Sequence, residues 1–140
     1  MAPLLDVLSL QRYLGWSEQM RQHFARLLEN GVAISMRTKE GQEMFCYLAY
    51  WYAGLCAVVE GWRELKLVDP TIDGLLASPN IEHLRRFRHG AFHYQRDYFD
   101  RRFLEITEAA GSARWVCDLG LAFDAWLAVN LPILHQSEPA

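Results

Sequence analysis

Lysine, cysteine and long uncharged runs are all scarce in this chain, and each scarcity closes off a class of function. Lys39 and Lys66 are the only lysines, beside twelve arginines. Fourteen Lys plus Arg against seventeen Asp plus Glu leave a net charge of −3, too acidic for a protein that coats nucleic acid uniformly. The three cysteines, Cys46, Cys56 and Cys117, form no C-x-x-C pair and have no histidine at zinc-site spacing. Buried free thiols in a reducing cytosol are therefore expected. The longest uncharged run, residues 44–59, is sixteen residues long and includes Tyr47, Tyr50 and Tyr52. It falls short of the roughly 20 residues a membrane-spanning helix needs. A fully buried helix is expected instead, with no membrane partner. The N-terminal stretch has neither a basic n-region nor a cleavage site, so no signal peptide is expected and the cytoplasm is the expected location.

Familiar site motifs are missing as well. There is no Glu-x-x-His, which argues against a di-iron helical bundle. There is no G-x-G-x-x-G, Walker loop, H-E-x-x-H or serine elbow. No cofactor and no metal site is expected.

What is present is helical periodicity and a core's worth of apolar residues. Hydrophobic types make up 51% of the 140 residues and aromatics 13%, the balance of one folded domain over residues 1–140. Residues 4–29 repeat apolar side chains at three- and four-residue steps: Leu10, Tyr13, Leu14, Met20, Phe24, Leu27 and Leu28. Asn30-Gly31 stops this helix, and residues 31–40 connect. A second helix is predicted over 41–67, with a seam of Phe45, Leu48, Tyr52, Leu55, Val59 and Trp62. Its apolar surface is wide enough for the centre of a bundle. Asp69-Pro70 closes it.

One short turn is predicted over 71–77. Ser78-Pro79 then starts a third helix, in which Leu84, Phe87, Ala91, Tyr94 and Tyr98 form a buried stripe. A short helix follows over 100–110, ended by Gly111. A last helix, capped by Ser112, reaches about 131–132, with Trp115, Leu119, Ala122, Phe123 and Trp126 inward and a frayed tail over 135–140. With no period-2 segment and no repeat, the expected fold is all-α. It is a four-helix up-and-down bundle with one or two short extra helices.

The charge is unevenly spread. Residues 82–102 carry six arginines (85, 86, 88, 96, 101, 102) against Glu82, Asp97 and Asp100, a local +3, and three of the five histidines (83, 89, 93). The remainder carries −6. A basic island on an acidic body suits an anion such as a phosphate backbone. Arginine grips phosphate through two parallel N–H bonds, although a GC-rich genome produces the same arginine skew.

At the centre of the island Arg88, four residues and His93 form an Arg-x4-His motif, and Arg86 with His93 satisfies an x6 form. Set in an all-helical chain of this size, the stretch RHGAFH resembles the HEPN family of helical-bundle proteins. Their signature is Arg-x4-6-His, commonly with Asn, Asp or His after the arginine, here His89. The resemblance implies a HEPN-like bundle and a metal-independent endoribonuclease acting as a homodimer on RNA. It also implies the setting of a toxin or defence effector, with an antitoxin or other protein partner. Arg88 and His93 would be catalytic.

The residue types fit that chemistry. Histidine can move a proton near neutral pH. Arginine can hold the charge on a phosphorane. Five residues along one α-helix turn through about 140°, so Arg88 and His93 on a continuous helix would diverge and need a second copy to converge. His89, Arg85, Arg86 and Arg96 are expected to support phosphate binding. Glu60 either orients Arg88 or His93 from the second helix or is a charge at that helix's wet end. Gly90 either lets a partner helix or substrate approach or is simply tolerated. Phe92 either stacks a base or packs in the dimer interface. Arg101 and Arg102 are expected to pair with Asp97 and Asp100. Where toxin–antitoxin relatives can carry a modifiable tyrosine two residues after the histidine, this chain has Gln95. The competing reading is a non-catalytic helical module that binds nucleic acid, a nucleotide or a protein, with Arg88 and His93 on a solvated basic face.

Overall fold

A computed structural model describes residues 2–137. Six helices follow one another, and among the described residues there is no strand: α1 (Leu4–Glu29), α2 (Lys39–Glu64), α3 (Pro70–Leu76), α4 (Asn80–Phe92), α5 (Arg101–Glu108) and α6 (Ser112–Ser137). Three of them, α1, α2 and α6, are 26 residues long, whereas α4 has 13.

The expected punctuation acts at most ends. Asn30-Gly31 closes α1, with Gly31 in the left-handed region at φ 81°. Helix α2 starts two residues before its expected position because the Thr38 hydroxyl accepts a hydrogen bond from the Gly41 N–H at 3.0 Å. It also stops before Asp69-Pro70. Lys66 turns left-handed at φ 55°, and the Leu67 N–H reaches back to the Trp62 carbonyl at 3.2 Å in a Schellman-type closure. Asp69 caps α3 through the Ile72 N–H, and Asp100 caps α5 through the Arg102 N–H.

One continuous core joins the elements. From α1 come Val7, Leu10 and Leu14, and from α2 Leu48, Tyr52, Leu55, Val59 and Trp62. Leu84 and Phe87 of α4, Ile106 of α5 and Leu119, Phe123 and Leu127 of α6 complete it. Helices α1 and α2 run antiparallel, and two glycines let them close together. A Cβ on Gly54 would sit 2.9 Å from Ser17 Cβ, and one on Gly61 would strike Leu10 Cδ2. Buried Ser17 donates to the Trp51 carbonyl at 2.8 Å across this contact.

Several expectations need correction. The third helix does not run on through Tyr98. It ends at Phe92, and His93 is extended at φ −122°, ψ 131°. Tyr94 and Tyr98 are therefore not on the buried stripe, being 93% and 61% exposed. The reason is tertiary. Helix α5 folds back across α4 so closely that a Cβ on Gly90 would lie 3.0 Å from Arg102 Cβ, and residues 93–100 must reverse direction. Gly90 thus makes room for α5 of its own chain.

Helix α6 passes through Pro132 to Ser137 rather than stopping there, since Leu131 and Leu134 on either side are buried and hold the last turns on the core. Of the frayed tail expected over 135–140, His135 and Gln136 are helical, and residues 138–140 lie outside the described residues. In α1, Tyr13 and Leu28 are exposed, because α2 and α6 cover only part of its circumference. Among the cysteines only Cys56 is buried; Cys46 and Cys117 lie on outward faces of their helices.

The uncharged run of α2 is not fully buried either. Cys46 and Tyr50 are exposed and Ala53 and Ala57 half-buried, and the exposed Glu60 just beyond the run continues the same stripe. This open stripe falls between the neighbours α1 and α4. By length and composition alone α2 and α6 could each cross a membrane, with 50% and 28% of their apolar windows buried inside the fold.

Candidate functional site

The open stripe of α2 is the floor of a cleft of about 480 Å³. Ala53, Gly54 and Ala57 form that floor, and their small side chains leave space that a longer residue would fill. Tyr13, Trp16 and Met20 of α1 make one wall. Tyr50 of α2, with Arg88, His89 and Phe92 of α4 and His93 just beyond it, makes the other.

The two members of the Arg-x4-His motif therefore border one concavity within a single chain. The expected divergence of 140° presupposed a continuous helix, and the break after Phe92 removes that constraint. Leu84 and Phe87 anchor α4 from its opposite face, both fully buried, which leaves Arg88, His89 and Phe92 toward the cleft.

Glu60 meets Arg88. Its Oε1 lies 2.6 Å from Arg88 Nη1, with both side chains partly open to water. A carboxylate on one edge of a guanidinium restricts the side chain's rotamers while other N–H groups stay available for a second anion. The His89 and His93 rings lie against one another tilted by 32°, with centroids 4.4 Å apart. Partial withdrawal from water holds His89 below the ordinary histidine value, and the charges of His93, Arg102, Arg88 and Arg86 add to that. A neutral imidazole beside a fixed cation can accept a proton, and an arriving phosphate would favour its charged form.

The backbone of His93 is held from α5. Arg102 donates to Gln95 Oε1 at 2.5 Å, and Gln95 Nε2 donates to the His93 carbonyl at 2.8 Å. Asp100 receives Arg102 at 2.9 Å, and that guanidinium keeps its carboxyl far below the usual carboxylate range. Arg102 thus pairs with Asp100 as expected, but Arg101 reaches Glu108 instead, because both lie on α5.

The remaining basic residues are divided. Arg85 pairs with Glu82 at 3.3 Å. Arg86 grips Glu105 of α5 at 2.6 and 3.1 Å, tying α4 to α5, and lies outside the cleft lining. Of the two arginines at motif spacing from His93, Arg88 borders the cleft and Arg86 does not. Arg96 is exposed on the 93–100 segment and does not line the cleft. His83 lies apart from His89 and His93, and its buried Nδ1 has no hydrogen-bond partner.

Two aromatic pairs face the cleft, and of their four residues only Phe92 was singled out from the sequence, as an apolar residue off the expected stripe. On α1, Tyr13 and Trp16 meet edge to face at 5.3 Å, with the Arg12 guanidinium 5.5 and 5.7 Å from their ring centroids. Opposite, Tyr50 and Phe92 meet edge to face at 5.1 Å. Trp16 lay off the apolar period of α1, and that misfit was the available signal. Tyr50 was hidden by the uncharged run around it. Among the described residues no three His, Cys, Asp or Glu side chains gather to hold a metal ion. No protein-family model, curated protein or solved structure matches this chain.

Proposed function

We propose that the protein is a metal-independent endoribonuclease of HEPN type, a four-helix up-and-down bundle in arrangement, acting as a homodimer with α4 of each copy near the two-fold axis. The observation that carries this reading is the shared cleft of Arg88, His89 and His93, with Glu60 on the Arg88 guanidinium. In the reaction a neutral imidazole takes the proton of the RNA 2′-OH, and O2′ bonds to phosphorus. Arg88 holds the charge that gathers on the phosphorane oxygens. The P–O5′ bond breaks and a protonated imidazole gives O5′ its proton, leaving a 2′,3′-cyclic phosphate and a 5′-hydroxyl. Two proton carriers are needed, and His93 from each of two copies supplies them. Arg85 and Arg96 add positive charge along the phosphate path, and His89, whose neutral form is favoured until a phosphate arrives, supports it by hydrogen bonding. Such an enzyme acts in the cytoplasm as a toxin or defence effector, restrained by an antitoxin or other protein.

The test is cleavage of RNA in EDTA with cyclic-phosphate or 3′-phosphate ends, and no cleavage of DNA. An RNA carrying one 2′-deoxy nucleotide at the mapped site must resist; cutting there refutes the mechanism. A second reading, a non-catalytic helical module for nucleic acid, a nucleotide or a protein, is favoured by one observation. Arg85, Arg86 and Arg88 are each already engaged by a carboxylate. It takes over if no RNA is cut by the protein alone or with its cellular partner.

A further inference from the structure

We propose that the cleft holds an unpaired nucleobase between its two aromatic pairs, next to the phosphate gripped by Arg88, so that the substrate is single-stranded RNA. The inference rests on the reading of Arg88 and His93 as the phosphate site, and it adds what selects the substrate.

Four aromatic residues are exposed around one concavity: Trp16 and Tyr50 at 54% each, Phe92 at 45% and Tyr13 at 36%. Large aromatic groups left in water at one place mark a contact surface. Three features favour a base over an apolar protein segment. The cleft of about 480 Å³ falls within the size range of small-ligand sites. Its aromatic walls arise from different helices and face one another across a floor of Ala53, Gly54 and Ala57. That arrangement suits a flat ring entering edgewise. Cationic groups also stand at the aromatic walls. Arg12 lies over the Tyr13 and Trp16 rings, and Arg88, His89 and His93 border the opposite wall. A base with its phosphate offers both a π-face for the rings and an anion for the Arg88 N–H groups that Glu60 leaves open, whereas an apolar helix would offer those N–H groups nothing.

A base paired in a duplex is stacked on its neighbours and cannot enter; an unpaired one can. Stacking accepts every base, so the cleft selects strandedness rather than sequence.

The experiment uses a fluorescein-labelled 2′-O-methyl hexanucleotide, which cannot be cut, and the same sequence as a duplex, with binding read by anisotropy. Wild type should bind the single strand at least tenfold more tightly. Trp16→Leu and Tyr50→Leu keep apolar bulk but remove the ring. Each should weaken single-strand binding roughly 5–150-fold, with thermal unfolding and oligomeric state unchanged. An abasic scan of the oligonucleotide against wild type should reproduce that loss at one position, and the leucine variants should show no further loss there.

The proposal is overturned if the leucine variants bind as wild type does. Equal binding of duplex and single strand, or loss of binding only through dissociation of a dimer, also overturns it. In the last case the rings pack against a second copy. Cleavage that persists without any dependence on the rings removes the base site and leaves the nuclease. Ring-dependent binding without cleavage in EDTA removes the nuclease and leaves the base site.

Discussion

The contact between α1 and α2 shapes the cleft, and a pair of glycine substitutions measures it. Gly15 and Gly54 both lie inside long helices, and neither has a positive φ. Replacing either by alanine gains about 0.8–1 kcal/mol of helix propensity. At Gly15 nothing lies within 4 Å of the new Cβ, so the gain should appear in full. At Gly54 the new Cβ lies 2.9 Å from Ser17 Cβ, 3.2 Å from its Cα and 3.4 Å from its backbone nitrogen. Two of these three atoms belong to backbone that a side-chain rotation cannot move. Relief requires shifting α1 and stretching the Ser17 to Trp51 hydrogen bond of 2.8 Å. Forcing an extra carbon into such a contact costs roughly 1–3 kcal/mol.

The propensity gain cancels in the comparison, so Gly15→Ala should exceed Gly54→Ala in stability by about 1–3 kcal/mol. Gly54→Ala itself should be neutral to about 2 kcal/mol destabilising once the propensity gain is counted against overpacking. Urea titrations with unchanged m-values read this directly. At roughly 4 °C per kcal/mol for this chain length, Tm values should differ by about 4–12 °C. If Gly54→Ala stabilises as much as Gly15→Ala, the helices do not approach this closely. The opposed aromatic walls would then lose their geometric basis.

Arg88→Ala should remove about 10²–10³-fold of cleavage. Loss of its half-exposed pair with Glu60 should change stability by only about 0–1 kcal/mol in denaturant. Glu60→Gln should likewise leave stability nearly unchanged while loosening Arg88, seen as a raised KM for RNA. The His89 ring should titrate by NMR with a midpoint below the ordinary value of about 6.5, and bound phosphate should raise it. The folded chain holds this proton more weakly than the unfolded chain, so His89 lowers stability as pH falls through the unfolded value. A midpoint at or above the ordinary value refutes the cationic surroundings described. Phe87→Ala, which empties a fully buried site against Phe45, Tyr52 and Phe103, should cost about 3–5 kcal/mol and abolish the cleft's α4 wall.

The helical class and most boundaries were legible in the sequence because their causes are local. Three- and four-residue spacing sets the buried faces of α2 and α6, Asn30-Gly31 supplies a left-handed stop, and Ser78-Pro79 starts α4. Arg88, His89 and His93 could be singled out through the family resemblance their motif carries and Glu60 through its place at the end of the uncharged run, and the contact of Glu60 with Arg88 was one of two readings left open. Tertiary structure alone decided the rest. The spacing of Leu84, Phe87, Ala91, Tyr94 and Tyr98 fits a continuing helix, and no glycine or proline follows Phe92 to contradict it. The break comes from α5 closing over Gly90 and from the Arg102, Gln95 and Asp100 hydrogen bonds, contacts that a pattern of apolar spacing does not record. That break lets His93 border the same cleft as Arg88. Phe92 apart, the opposed aromatic walls were equally hidden, because periodicity records which face of a helix is apolar. Which part of that face a neighbouring helix leaves open depends on how closely the two can pack, and here Gly54 and Gly61 decide it.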